Sequence, residues 1–403
     1  MVEKNKIPRH WQIKKLGEVC GIIMGQSPSS DTYNTDGKGF PFFQGKAEFT
    51  DLYPITRKWC SNPNKIAESN DILLSVRAPV GSTNIANQKC CIGRGLAAIR
   101  YENYKYIFYF LRSIEQELDK KGTGTTFRAI SGETIRTTEI PLPPLPEQLA
   151  IVSKIEELLS DLENGKQQLL TAQKQLKVYR QSLLKWAFEG KLTNKNVKDG
   201  ELPKGWKWKM LGEVCHKIGD IDHKMPKQIS NGYPYVSTKD FTDNLKISFD
   251  NAKYISEEDY LNLSRKIKPE RGDIIFPRYG TIGKNVLVDF DMDFLVSYSC
   301  AVMKPNQNIV LSKYVYLFSL SPKITEEIRK YTVETTQANV GIASIKSFVF
   351  PLPPIQEQQI IVDELENKLT VCDKIEETIT NSLLQAESLR QSILKKAFEG
   401  KLI

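Results

Sequence analysis

From Ile151 onward, apolar side chains return at Ile151, Ile155, Leu158 and Leu162, then at Leu169, Ala172, Leu176, Tyr179 and Leu183. The steps alternate four and three with one gap around Gly165, the 3.5-residue period of a coiled-coil seam. A second stretch repeats it less cleanly through Ile361, Leu365, Cys372, Ile375, Ile379, Ala386, Leu389 and Ile393, with Lys368 and Ser382 in the seam. Prolines just ahead of each run and a first-turn glutamate (Glu147, Glu357) predict helix starts, since proline loses no hydrogen bond there and the carboxylate favours the dipole. Gly190 and Gly400, each followed by lysine, predict the stops. Each helix would span about 42 residues, roughly 60 Å. A rod with one apolar stripe needs cover, and two equal rods in one chain cover each other when packed antiparallel. Pairing with a second chain is the alternative.

Elsewhere short apolar runs are broken by Gly, Pro, Asn and Ser, the pattern of short strands and turns. Asp71–Ser75 and Gly272–Phe276 are expected as buried strands, and a helix-like stretch follows each, around Tyr106–Leu118 and Tyr314–Ile328. The expected class is α+β.

The chain also contains itself twice. Pro141-Leu142-Pro143-Pro144-Leu145-Pro146-Glu147-Gln148 returns as Pro351-Leu352-Pro353-Pro354-Ile355-Gln356-Glu357-Gln358. Arg180-Gln181-Ser182 and Ala187-Phe188-Glu189-Gly190-Lys191-Leu192 return as Arg390-Gln391-Ser392 and Ala397-Phe398-Glu399-Gly400-Lys401-Leu402. Both pairs share one offset, 210 residues (351−141 and 390−180), so the two rods have one length. The openings, Trp11 with Leu16-Gly17-Glu18-Val19-Cys20 and Trp206 with Leu211-Gly212-Glu213-Val214-Cys215, stand 195 apart (206−11), so the second globular part is about 15 residues longer. The predicted layout is a first globular domain at 1–143, a central helix at 144–192, a second globular domain at 193–353 and a C-terminal helix at 354–403. Two tandem globular α+β domains would then be joined by two long helices packed as an antiparallel coiled coil, with pseudo-twofold symmetry.

Composition narrows the function classes. The 403 residues suit two domains plus connectors, and the formal net charge of +8 admits an anionic partner without compelling one. Seven scattered cysteines without CxxC spacing argue for a reducing compartment rather than a disulfide framework. No apolar run has the length of a signal peptide or a membrane span, so a cytoplasmic protein without membrane contact is expected. Three histidines (His10, His216, His223) are too few and scattered for a metal site or triad. Gly280-Thr281-Ile282-Gly283-Lys284-Asn285 lacks P-loop spacing, and the Pro-Pro pairs follow leucine, unlike an amino-methyltransferase motif. No catalytic residue and no metal site is expected.

Three duplicated motifs instead suggest nucleic-acid contact at loop level. Thr125, Thr126 and Arg128 precede the first rod, as Thr335, Thr336 and Gln337 precede the second, offering donors to phosphates or base edges. Arg77 and the Arg278-Tyr279 pair follow strand-like runs beside tight turns, where guanidinium can pair bidentately with guanine or phosphate. Gln44 with Lys46, and Ser237 with Lys239, end two further apolar runs.

In combination, Trp-x4-Leu-Gly-Glu-Val, Asp-Ile-Leu-Leu-Ser, a Thr-Thr loop, Pro-Leu-Pro-Pro-Leu-x-Glu-Gln, a long helix and Ala-Phe-Glu-Gly-Lys-Leu closely resemble the specificity subunit of type I restriction–modification systems, over essentially the whole chain. The resemblance implies a non-catalytic subunit whose two domains each read half of an asymmetric bipartite site in double-stranded DNA. It implies that the paired helices set the gap between half-sites and dock two modification (methyltransferase) subunits and restriction subunits. S-adenosylmethionine, ATP and Mg would then sit on those partners, with no cofactor on this chain. The first half reads Leu-Ser-Val-Arg-Ala-Pro where the family more often has Leu-Ser-Arg-x-Gly, so a contact role transfers more securely to Arg278 than to Arg77. The alternative is a coiled-coil protein–protein scaffold without DNA recognition.

Overall fold

The computed structural model describes residues 7–124, 128–194, 196–198, 200–223, 225–280, 282–331 and 339–403. The chain divides into two compact units, Met1–Leu170 with Thr380–Ile403 (unit 1) and Thr171–Ile379 (unit 2).

In unit 1 the strands that matter are β1 (Gly21–Met24), β2 (Phe40–Phe43), β3 (Ile72–Ser75), β4 (Thr83–Ile85), β5 (Cys90–Ile92) and β6 (Leu96–Arg100). One antiparallel sheet runs β1-β6-β3-β4; in a second sheet β2 and β5 lie side by side in parallel. The predicted Asp71–Ser75 strand is β3, buried on both faces, with Ile72 and Leu74 in one apolar cluster and Leu73 in another. Cys90 and Cys91 are both buried, and burial pushes each thiol up to about 12. Helix α1 (Tyr104–Ser113) covers the sheet, and the predicted single helix breaks at Ile114 before Glu115–Lys120. The long helix α2 (Leu145–Phe188) follows.

Unit 2 repeats the scheme with β7 (Cys215–Gly219), β8 (Tyr233–Val236), β9 (Ile274–Pro277), β10 (Val286–Leu287), β11 (Leu295–Val296) and β12 (Cys300–Pro305). Its sheet order is β7-β12-β9-β10, and β8 lies parallel to β11. The helix α3 (Ser312–Ser319) corresponds to α1, and the following helix restarts at Pro322, a residue suited to a first turn. The second long helix, α4, is Ile355–Phe398.

The duplicated end motif has a packing reason. Phe398, at the end of α4, makes edge contacts with Tyr106 and Phe110 of α1 at 5.2 and 5.4 Å between ring centroids. Phe188, at the end of α2, does the same with Tyr314 and Phe318 of α3 at 5.1 and 5.3 Å. Each unit therefore holds the start of one long helix and the end of the other, an antiparallel arrangement. Gly190 and Gly400 then turn the chain with φ of +76° and +67°; a Cβ there would come within 2.2 Å of Pro203 and 2.4 Å of Pro8. At the helix starts Gln148 and Gln358 are buried and donate to the carbonyls of Pro143 (2.9 Å) and Pro353 (3.0 Å).

The predicted seam holds at most positions and slips at a few. Ile151, Ile155, Leu183, Ile361, Leu365, Ile379 and Ile393 are buried, and Leu158, Leu162, Leu169 and Leu176 half-buried. Ile375 and Leu389, expected inside, are 44% and 50% exposed, and Tyr179 also faces out. Arginines near these positions form ion pairs. In unit 2, Arg180 reaches across to Asp373 and to Glu376 (3.0 Å); in unit 1, Arg390 reaches Asp51 (3.1 Å). Arg180 and Arg390 are half-buried there, and their apolar neighbours Tyr179 and Leu389 are exposed.

No helix among the described residues is long and apolar enough to cross a membrane.

Candidate nucleic-acid interface

Three separate segments meet at one edge of unit 1. Strand β2 runs into Gln44-Gly45 and a single 3-10 turn at Lys46–Glu48, closed by the Gly45 N–H donating to Glu48. Between β5 and β6 lies the turn Gly93-Arg94-Gly95. The Gly93 N–H donates to Phe43 O (2.8 Å) and the Leu96 N–H to Gly93 O (3.0 Å), so the turn is locked against β2. A Cβ on Gly95 would come 2.2 Å from the Gln44 carbonyl oxygen, which makes glycine necessary for this close approach. From the other side, the Val76 N–H after β3 donates to Gly95 O (2.9 Å), and the Ala78 N–H donates to Arg128 O (2.9 Å). A shallow cleft lined by Gln44, Gly45, Lys46, Ala78 and Pro79 opens between the segments.

Alternation along the extended chain decides which side chains leave this edge. Val76 points in and is buried; Arg77, next to it, is exposed, as are Gln44, Lys46, Arg94 and Arg128. Arg128 lies 3.4 Å from Asp119, a loose surface pair. Arg77 and Arg94 form no ion pair with any described residue. The structure thus brings together the predicted Gln44, Lys46, Arg77 and Arg128, while Thr125 and Thr126 lie outside the described residues.

Unit 2 builds the same edge from different residues. Strand β8 leads to Ser237 and a 3-10 turn at Thr238–Asp240, closed by the Ser237 N–H donating to Asp240 (2.7 Å). Ser237 is half-buried and Lys239 exposed. The turn between β11 and β12 is Ser297-Tyr298-Ser299, with the Ser297 N–H donating to Val236 O (2.8 Å) and the Cys300 N–H to Ser297 O (2.9 Å). The Arg278 N–H donates to Ser299 O (2.8 Å), and the Val340 N–H to Arg278 O (3.0 Å). Thr335, Thr336 and Gln337 lie outside the described residues.

These bonds correct one expectation. Arg278 stands where Val76 stands in unit 1, and Tyr279, not Arg278, corresponds to Arg77. Arg278 accordingly points inward at 7% exposure, pairs with Asp220, and donates to Val340 O (2.9 Å) and Tyr298 O (3.4 Å). In this position it ties loops together, and its guanidinium is not presented at the surface. Asp220 also receives Lys266 (3.2 Å) and bonds His223 (3.3 Å). Burial alone would raise its carboxyl, but the Lys266 hydrogen bond, the Arg278 charge and His223 outweigh it and hold Asp220 below the usual carboxylate range.

Arg94 and Tyr298, at the tips of the equivalent turns, escaped the reading of the sequence. Arg94 is exposed; Tyr298 is half-buried and stacks on His223 with centroids 4.6 Å apart. The signal was present in Gly93-Arg94-Gly95 between two apolar runs, but nothing in the sequence alone shows that this turn adjoins Gln44 and Arg77. Among the described residues no group of His, Cys, Asp and Glu could hold a metal ion.

Comparison with known proteins also finds the duplication. The family model for the type I restriction modification DNA specificity domain matches residues 8–172 and again 203–385. A putative type I restriction enzyme MjaX specificity subunit of Methanocaldococcus jannaschii is 43% identical over 183 residues, 43% of this chain and 43% of that protein, so this match spans under half the length of the relative. The EcoKI specificity subunit of Escherichia coli K12 is 25% identical over 98% of this chain and 90% of its own. A chain from a solved structure addressing assembly and conformational transition of the type I R-M system superposes with a TM-score of 0.74 at 22% identity, covering 98% of this chain and 99% of that one. The chain belongs to the type I restriction modification DNA specificity family and carries that domain twice.

Proposed function

We propose that this chain is the non-catalytic recognition subunit of a type I restriction–modification complex, in which each unit's edge reads one half of an asymmetric, split site in double-stranded DNA. The observation that carries the reading is the pair of edges: one backbone arrangement, built twice, presenting different exposed side chains. Lys46 and Lys239 supply phosphate contacts that carry no sequence information, while the remaining tips meet base edges. Binding is therefore expected to weaken steeply with salt. The long helices dock two modification subunits and restriction subunits. Exposed apolar residues on them (Leu149, Val178 and Trp186 on α2; Ile360, Val371 and Leu384 on α4) support that role, since such side chains gain by being covered. S-adenosylmethionine, ATP and Mg belong to the partners, which perform adenine methylation and cleavage.

The test is methylation mapping by single-molecule sequencing in a host lacking its own systems, expressing this chain with its cognate modification subunit. The expected outcome is a new motif of two different short half-sites separated by a fixed gap and methylated on both strands. An assembled complex that yields no new motif would sink the reading and favour a protein scaffold.

A further inference from the structure

The duplication works as an internal alignment in which backbone position is held and side-chain chemistry varies. The turn tips correspond by hydrogen bonding: Gly93-Arg94-Gly95 with Ser297-Tyr298-Ser299, and Val76-Arg77 with Arg278-Tyr279. Each edge keeps a lysine in its 3-10 turn, Lys46 and Lys239. At the other two positions an exposed arginine of unit 1 is a tyrosine in unit 2, Arg77 against Tyr279 and Arg94 against Tyr298.

We propose that Arg77 and Arg94 are specificity-determining residues that commit unit 1 to a guanine-containing half-site, and that the tyrosines at the same positions deny unit 2 that preference. The inference rests on the DNA-recognition reading above and deepens it. A guanidinium matches guanine O6 and N7 with two parallel donors, and no other base edge in the major groove presents two such acceptors. That match needs a fixed base point. Arg94 sits in the middle of a three-residue turn whose neighbours are bonded to Phe43 and Val76, and its own N–H donates to Ser27 Oγ (3.2 Å). Arg77 lies between two anchored neighbours, with the Val76 N–H on Gly95 and the Ala78 N–H on Arg128. Two other arginines of unit 1 are already spent: Arg100 on Asp71 (2.7 Å) and Arg112 on Asp51 (3.1 Å).

The fork is missing from the corresponding tips of unit 2. The one arginine there, Arg278, is consumed by Asp220 and two carbonyls, and its guanidinium lies 5.3 Å from the Tyr279 ring centroid. Tyr298 is braced by the His223 stack. Each tyrosine offers one hydroxyl and an apolar ring, suited to a thymine methyl or a single acceptor.

The test compares methylomes of the intact complex carrying the natural chain, Arg94→Tyr, Arg94→Lys, Arg77→Tyr or Tyr298→Arg. The expected result is that the unit 1 half-site contains guanine, that Arg94→Tyr and Arg77→Tyr change or relax bases in that half alone, and that Tyr298→Arg alters only the other half. Arg94→Lys keeps the charge but not the fork, and is expected to relax the guanine; an unchanged motif with Arg94→Lys and Arg94→Tyr would overturn the proposal. If a variant loses methylation altogether, the natural complex decides. Replacing guanine by 7-deazaguanine, which lacks the N7 acceptor, should weaken its binding about 5- to 50-fold in the unit 1 half and little elsewhere. No guanine in that half, or no effect of its N7, overturns the assignment. The absence of any bipartite motif in the natural complex would instead refute the underlying recognition reading.

Discussion

Beneath the two candidate edges lie two different plugs. In unit 1, Val76 and Met24 at the end of β1 join the apolar core; in unit 2 the matching places hold Arg278 and, just after β7, Asp220, a buried ion pair. The comparison shows that the scaffold does not require either chemistry, because the strands around the plug pair in the same order in both units. A buried pair gains little net stability once both charges have been stripped of water. What Asp220 and Arg278 add is connection. The guanidinium joins β9 to the Ser297–Ser299 turn and to Val340, whereas in unit 1, among the described residues, backbone bonds connect those segments.

The largest expected effect comes from breaking this pair. Arg278→Val leaves Asp220 buried with Lys266 and His223 as its remaining partners, and should destabilise unit 2 by about 3–5 kcal/mol. The double variant Asp220→Met with Arg278→Val installs the unit 1 chemistry and should come within about 1 kcal/mol of the natural chain or exceed it. Denaturant-dependent hydrogen exchange on peptides of unit 2 measures both. Equal losses in the single and double variants would show that the plugs are not interchangeable.

A second contrast lies along α4. Ile379 is 5% exposed and Ile379→Ala should cost about 2–4 kcal/mol, whereas Ile375→Ala, one turn earlier, should stay within about 0.5 kcal/mol. Thermal or denaturant melts of the two variants check which positions form the seam. The smallest effect is expected in acid. Asp220 titrates below its unfolded value of about 3.9, so its contribution is complete above that pH and is lost as pH falls through the depressed folded value. Unit 2 stability should therefore fall less steeply below about pH 4 in the double variant than in the natural chain. Identical slopes would show that Asp220 gains nothing from its partners.

Much of this was legible along the chain. Both long helices follow from the 3.5-residue period and the Pro-Pro starts, and β3 and β9 follow from their apolar runs. The exposure of Arg77 follows from its place beside a turn. The burial of Arg278 is not legible in the sequence, because its neighbours there, a strand and a glycine-rich turn, look like those of Arg77. A slip of one residue against the partner strand reverses which side faces the core, and only the bonds of Arg278 to Ser299 and Val340 settle the register. Ile375 and Leu389 differ from expectation as well: the period is right, but both are exposed, and the ion pairs of Arg180 and Arg390 near them join residues distant in sequence.

The sequence by itself determined the duplication, the two equal helices, their start and stop residues and the family, because these depend on local periodicity, capping and repetition. Tertiary structure alone decided which side chains stand at each edge. Gln44, Arg77, Arg94 and Arg128 are far apart in the chain and meet only where β2, β3 and β5 bring their ends together, and the same closure buries Arg278 because Asp220 is there to receive it.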